Sequence, residues 1–113
     1  MDKLGDKLMK KLVDAVKLMV RDELEEANKE FPMFRSTHEG YAIILEEVQE
    51  AKVEMDMVVY NIDAAWELIK ANQISTNMVK LVKTRAILLA AESIQIAAMC
   101  AKFEDSNLSE VNK

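Results

Sequence analysis

The stretch from Arg85 to Phe103 reads RAILLAAESIQIAAMCAKF and decides the fold class. Nearly every residue from Ala86 to Ala101 is apolar, so a helix formed here must be covered on all sides. Glu92 interrupts this run, and a carboxylate inside an apolar helix is costly unless a cation or hydrogen-bond donors meet it. We therefore expect a partner for Glu92.

The composition favours helices throughout the chain. It has 113 residues with two glycines, one proline and eight methionines, and 50% of the residues are hydrophobic. This length suits one domain with a core of its own. The predicted fold class is all-α, a helical bundle of three to four helices. Because three helices of this size can scarcely cover the apolar run, we expect homo-oligomerisation to complete the core.

Apolar residues recur at three- and four-residue steps in three segments of the chain. This periodicity predicts helices over about residues 3–27, 37–71 and 77–103. We expect a single helical domain over residues 1–104 and a frayed tail over residues 105–113, which has little to bury.

The boundaries between these helices have recognisable signals. Pro32 disfavours helical geometry at the residue before it, Ser36 and Glu39 form a capping box, and the polar run ANQISTN precedes the third helix. The first helix is amphipathic and is predicted to bury one stripe. That stripe consists of Leu4, Leu8, Leu12, Ala15, Met19 and Val20.

Charge and cysteine content narrow the functional classes. A net charge of -5 argues against nonspecific nucleic-acid binding, which needs a basic surface. Cys100 is the only cysteine, and the N-terminus MDKLGDKLMKK lacks the apolar core of a signal peptide, so we expect a cytoplasmic protein. The run that ends at Ala101 is shorter than the ~20 residues that span a bilayer and contains Glu92 and Gln95, so we expect no membrane association.

Acidic side chains line one face of the second predicted helix. Glu47, Glu50 and Glu54 recur at steps of three and four, and Glu46 lies one turn before Glu50. Two helices packed ~8–10 Å apart can direct such side chains and Glu92 into one pocket. Hard cations such as Mg²⁺ take oxygen ligands, so a cation would satisfy both sets of acids.

Plainer explanations stay open beside this one. The acids of the second helix could form a solvated surface, and Glu92 could form a buried ion pair with a lysine or arginine, for instance Arg21 or Arg35. The apolar residues of the loop 31–34 could close the core or line a site for a planar ligand. We interpret His38 as a capping or surface residue, because no second histidine is present to complete a metal site.

Two phrases, THEGYAIILEEVQEAKVEM and AAESIQIAAMCAKF, resemble small phage and prophage members of the MazG-like all-α nucleoside triphosphate pyrophosphohydrolase superfamily. The first motif of that family, two glutamates, two variable residues and a third glutamate, matches Glu46, Glu47 and Glu50. Its second motif, a glutamate and an aspartate three residues apart, matches Glu92 but has Gln95 in place of the aspartate.

The resemblance covers about residues 31–103 and implies a function. It implies that a homodimer or homotetramer hydrolyses a nucleoside triphosphate to monophosphate and pyrophosphate with Mg²⁺. A catalytically inactive oligomerisation, interaction or nucleotide-binding protein is the alternative, because an amide brings no charge to the site. The residues assigned on this basis are Glu47, Glu50, Glu92 and Gln95 as metal ligands, Glu46 as the catalytic residue, and Arg85, Lys83, Glu54 and Asn61 as substrate contacts.

Overall fold

The computed structural model of the chain describes residues 3–108 and consists of three helices. Helix α1 spans Lys3–Glu30, α2 spans Thr37–Lys70 and α3 spans Thr76–Asp105. No strand occurs within these described residues, so the predicted all-α class is confirmed. Residues 109–113 of the predicted tail lie outside the described part of the chain.

Helix α2 begins with the predicted cap at Ser36. The Ser36 hydroxyl accepts a hydrogen bond from the backbone N–H of Glu39 at 3.1 Å. The Glu39 carboxylate accepts from the backbone N–H of Arg35 at 3.2 Å and from its guanidinium at 2.9 Å. These hydrogen bonds from Arg35 hold the pKa of Glu39 below its usual value. The capping pair therefore extends by one residue to include Arg35.

Helix α2 is continuous through Trp66 and ends at a left-handed residue. Asn72 has a φ of 57°, a conformation that asparagine tolerates better than most residues. Its N–H donates to the carbonyl of Ile69 at 3.0 Å, and the N–H of Gln73 donates to that of Leu68 at 2.9 Å. This pattern is a Schellman cap, which satisfies the last carbonyls of the helix.

Contacts divide the chain into two compact units. The first unit contains residues 3–44 and 94–108 of the described chain, and the second is Leu45–Ser93. Helix α1 lies wholly in the first unit, whereas α2 and α3 contribute residues to both. All the predicted site residues except Gln95 fall in the second unit.

The core of the first unit forms around Phe34, Ala98 and Met99, all of which are buried. Of the apolar loop residues that could close the core, Phe34 is buried, whereas Phe31 is 62% exposed. The apolar side chains that pack around this core are Val20, Leu24, Ala27, Ile44, Phe103 and Leu108. The presence of Leu108 shows that the first part of the predicted frayed tail is held against the core.

Lys102, near the end of α3, packs against the loop between α1 and α2. It is 2% exposed, and its Nζ lies 5.3 Å from the centre of the Phe34 ring and 6.0 Å from that of Phe31. The Ser106 hydroxyl accepts from the backbone N–H of Phe34 at 3.1 Å and donates to the Lys102 carbonyl at 2.7 Å. The ammonium group of the buried lysine thus lies over two aromatic rings of the loop.

The predicted buried stripe of α1 is wrong for the single chain. Helix α1 has no buried residue, and Leu4, Leu8, Leu12 and Met19 are all more than half exposed. Only its later residues, such as Val20, approach the core of the first unit. Within the first unit, the apolar core forms against the later part of α1 and not against its first half.

Helix α3 is not buried on all sides in the single chain, and its predicted coverage by homo-oligomerisation stays a prediction. Its buried residues are Ala98, Met99 and Lys102, whereas Ile87 and Leu88 are exposed. One neighbouring helix can cover only one stripe of an apolar helix. By length and composition alone α3 could also cross a membrane, although core helices of soluble proteins pass the same test.

Candidate functional site

Two helix faces meet in the second unit. Glu47 and Glu54 of α2 are seven residues apart, as are Arg85 and Glu92 of α3, and this spacing corresponds to about two turns. Arg85 lies 3.3 Å from Glu54, and oxygens of Glu47 and Glu92 lie within 4.8 Å of each other. Within this unit the two helices are therefore antiparallel, with these residues in register.

Three carboxylates converge at one end of this contact. Glu47, Glu50 and Glu92 each offer one oxygen, and the three oxygens lie within 4.8 Å of one another. Glu47 and Glu92 are partly buried and Glu50 is exposed, so the group is accessible from one side. The structure thus brings together three of the predicted metal ligands.

One oxygen of Glu92 lacks a hydrogen-bond partner. Glu92 Oε2 is buried and is the one such side-chain atom found among residues 3–108. A buried polar atom without a partner costs about 1–3 kcal/mol. Within the second unit, Arg85 is the basic residue of α3 that pairs with an acid of α2, and that acid is Glu54 and not Glu92. A cation, or a proton on one of the neighbouring carboxylates, would satisfy this oxygen of Glu92.

Two of these three carboxyl groups have raised pKa values. Burial, together with the charge of Glu50, raises the pKa of Glu92 above its usual value. Burial, then the charges of Glu50 and Glu92, raises the pKa of Glu47 in the same way. Like charges held this close favour protonation of one another unless a cation lies between them.

These shifts predict how stability changes with pH. A carboxyl whose pKa is raised on folding stabilises the folded protein below its unfolded pKa, and this contribution is lost as pH rises through the folded pKa. Without divalent cations, the free energy of unfolding of the wild type should therefore fall relative to that of Glu92→Gln as pH increases from about 4 to about 8. Urea unfolding in a chelator tests this, and parallel pH curves for the two proteins would contradict it.

The spacing of the three oxygens fits a divalent cation. Two ligands on opposite sides of Ca²⁺ are about 4.6–5.2 Å apart, and those of Mg²⁺ are about 4.0–4.2 Å apart. A group in which all separations fall within 4.8 Å can hold either ion with small side-chain rotations. Because Mg²⁺ usually keeps several water ligands, three carboxylates are enough protein ligands for it.

Geometry is the only guide to the identity of this site. No protein-family model, curated protein or solved structure matches the chain. The MazG-like resemblance therefore rests on the two quoted motifs.

The remaining predicted residues of the second unit have different surroundings. Glu46 and Lys83 are exposed, and Glu54 is partly buried against Arg85. Asn61 is 4% exposed, so a substrate would reach its amide only if the side chains around it moved. Its predicted substrate contact stays a prediction.

Gln95 is placed differently from the carboxylates. It belongs to the first unit, where its Nε2 donates to Glu23 Oε1 at 2.6 Å. Glu23 was not among the predicted site residues, because nothing in its local sequence distinguishes it from its neighbours on α1. The predicted metal contact of Gln95 stays a prediction, and its amide already has a charged partner.

Sequence reasoning also missed a cavity of about 740 Å³ in the first unit. Its volume lies within the ~300–1,000 Å³ that is usual for small-molecule sites. Its walls come from the start of α2 and the end of α3, including Tyr41 and Phe103, and His38 and Cys100 line it too. Residues so distant in sequence carry no local signal that they form one cavity.

Proposed function

We propose that this chain is a cytoplasmic, MazG-like pyrophosphohydrolase that splits a nucleoside triphosphate into monophosphate and pyrophosphate with Mg²⁺. The buried, unpartnered oxygen of Glu92 beside the carboxylates of Glu47 and Glu50 carries this proposal. A helix that served only as a core would be more stable with an apolar residue at this position. The retained carboxylate therefore points to a cationic ligand.

The site residues divide into ligands and a base. Glu47, Glu50 and Glu92 would hold the ion, because each offers an oxygen to the same place. A bound Mg²⁺ neutralises charge on the phosphate oxygens and makes a coordinated water more acidic. Glu46 is exposed and adjacent in sequence to Glu47, and the MazG-like resemblance assigns it the role of general base. Its role is to take a proton from the attacking water.

The phosphate groups of the substrate are assigned to basic residues of α3. Arg85 is partly exposed beside Glu54, and Lys83 projects into solvent on the same helix. A guanidinium matches the geometry of phosphate oxygens, and an ammonium adds a flexible point charge. Cation and basic side chains together favour a highly charged substrate such as a triphosphate.

A matched set of variants tests this function. Wild type, Glu47→Gln and the surface control Glu67→Gln are incubated with a panel of ribonucleoside and deoxyribonucleoside triphosphates, with Mg²⁺ or with a chelator. We expect pyrophosphate and monophosphate in equal amounts from at least one substrate, with Mg²⁺ present, from wild type and Glu67→Gln only. No product from any triphosphate, together with no cation binding by calorimetry, would remove the proposal.

A second candidate is a catalytically inactive homo-oligomer that binds nucleotide or another protein. It is favoured by the uncharged Gln95, whose amide is committed to Glu23, and by the exposed apolar residues of all three helices. Both candidates predict a homodimer or homotetramer, which sedimentation would detect. They differ in catalysis, because the second candidate predicts no pyrophosphate release at any Mg²⁺ concentration.

A further inference from the structure

The contact between Arg85 and Glu54 is loose for an ion pair. Arg85 donates with Nη1 alone, at 3.3 Å to one carboxylate oxygen and 3.4 Å to the other. Charge-assisted hydrogen bonds of this type are typically about 2.7–2.9 Å long, and the strongest use two guanidinium nitrogens. Among residues 3–108, Arg85 makes no other hydrogen bond or ion pair. Its remaining donors are available to a second acceptor.

The two partners differ in how far solvent reaches them. The side chain of Arg85 is 36% exposed, whereas that of Glu54 is 17% exposed. Arg85 is therefore the more accessible of the two partners to an anion from solution. Once its cation has left, Glu54 would be an enclosed carboxylate in need of another positive partner.

A cation bound at the group of Glu47, Glu50 and Glu92 could be that positive partner. Glu54 lies two turns after Glu47 on α2, and Arg85 lies two turns before Glu92 on α3, so the Glu54–Arg85 contact belongs to the same helix interface as the three carboxylates. Glu54 is one turn from Glu50 along α2, on the side that faces α3. A fourth carboxylate thus stands beside the candidate cation site and is neutralised by Arg85.

We propose that Arg85 exchanges between Glu54 and a phosphate group, so that phosphate binding releases the Glu54 carboxylate to strengthen the cation site. This inference rests on the proposed function and adds a regulation of the same site. A phosphate offers several oxygens in the geometry that a guanidinium binds best, and the contact it replaces is long. Glu54 acts as an internal competitor for Arg85 until substrate arrives.

The exchange couples anion and cation binding. If phosphate raises the affinity for the cation by some factor, the cation must raise the affinity for phosphate by the same factor. The resting protein would hold the ion more weakly than the protein with phosphate bound. The affinity for the cation would reach its highest value only when the substrate is also bound.

Calorimetric titration with Mn²⁺, which takes similar oxygen ligands, tests the exchange without measuring activity. Arg85→Gln should bind Mn²⁺ about fivefold more tightly than wild type, because Glu54 no longer has a competitor. Lys80→Gln removes the same charge from an exposed residue of the same helix that has no assigned role, and should change the affinity less. The double variant Arg85→Gln/Glu54→Gln should lose the gain.

A second titration adds inorganic phosphate. Phosphate should raise the Mn²⁺ affinity of wild type toward that of Arg85→Gln and leave the variant unchanged, and comparison of the two removes the effect of chelation by phosphate. An unchanged affinity in Arg85→Gln, or a gain that persists in the double variant, overturns the exchange while the cation site itself stands. Absence of Mn²⁺ binding in every protein would instead overturn the proposed function.

Glu54→Asp covers the case in which removal of a charge disturbs folding. Aspartate keeps the charge of residue 54 but is one methylene shorter, so it should lose a contact that is already 3.3 Å long. We expect Glu54→Asp to show a smaller increase in Mn²⁺ affinity on addition of phosphate than wild type. An increase equal to that of wild type would contradict the role given to the Glu54–Arg85 contact.

Discussion

Glu92→Gln is expected to make the cation-free protein more stable and to abolish its response to Mg²⁺. Glu92 Oε2 is buried without a partner, and burial together with repulsion from Glu50 raises the pKa of this carboxyl. Glutamine removes the charge, and its amide can donate to the neighbouring carboxylates. We expect a gain of about 1 kcal/mol near neutral pH in a chelator.

The same change should weaken cation binding by at least the roughly 10–100-fold that loss of an outer-shell partner costs, because one of three charged ligands is lost. Thermal unfolding with and without Mg²⁺ measures both effects. Wild type should become more stable as Mg²⁺ is added, by mass action, whereas Glu92→Gln should not. Glu67→Gln, at an exposed pair with Lys70, is the matched control and should behave as wild type. A destabilised Glu92→Gln that still responds to Mg²⁺ would refute the assignment.

Gly40→Ala is expected to destabilise the protein although alanine is the better helix former. A Cβ at Gly40 would overlap the Cδ2 of Phe103 and come within 3.1 Å of the Phe34 ring. The helix propensity of alanine is worth about 1 kcal/mol over glycine. Overpacking of a core typically costs about 1–3 kcal/mol. We expect a net loss of about 1 kcal/mol, and a larger loss for Gly40→Leu.

Urea unfolding of single and double variants checks this explanation. Phe103→Leu removes the ring that a new Cβ would meet, so Gly40→Ala should cost less in that background than in wild type. Ala42→Leu, at an exposed position of the same helix, is the control for added volume without a clash and should change stability little. Stabilisation by Gly40→Ala in wild type would contradict this explanation, because it would show that the Phe103 ring moves aside without loss of stability.

The fold class followed from local patterns. Apolar residues at helical spacing, the cap at Ser36 and the polar run before Thr76 predicted three helices, and three helices are present. These signals act within a few residues, so one sequence shows them. Burial of the α1 stripe was not predictable in this way, because a stripe shows only which face is apolar and not whether another segment covers it.

The candidate site could be predicted in part. The spacing of Glu47, Glu50 and Glu54 on one helix placed them on one face, and the apolar surroundings of Glu92 marked it as exceptional. The pairing of Glu54 with Arg85 was not predicted, although the seven-residue steps on both helices are compatible with it. That pairing depends on which turns of two helices face each other.

The sequence by itself determined that this chain is helical and that a carboxylate interrupts its most apolar helix, because both are properties of consecutive residues. Only the tertiary structure decided that Glu47 and Glu50 meet Glu92, that Arg85 meets Glu54, and that Gln95 meets Glu23. Helical periodicity sets the direction of a side chain around its own axis. The partner it meets is set by the register and packing of two helices, which depend on contacts between residues far apart in the chain.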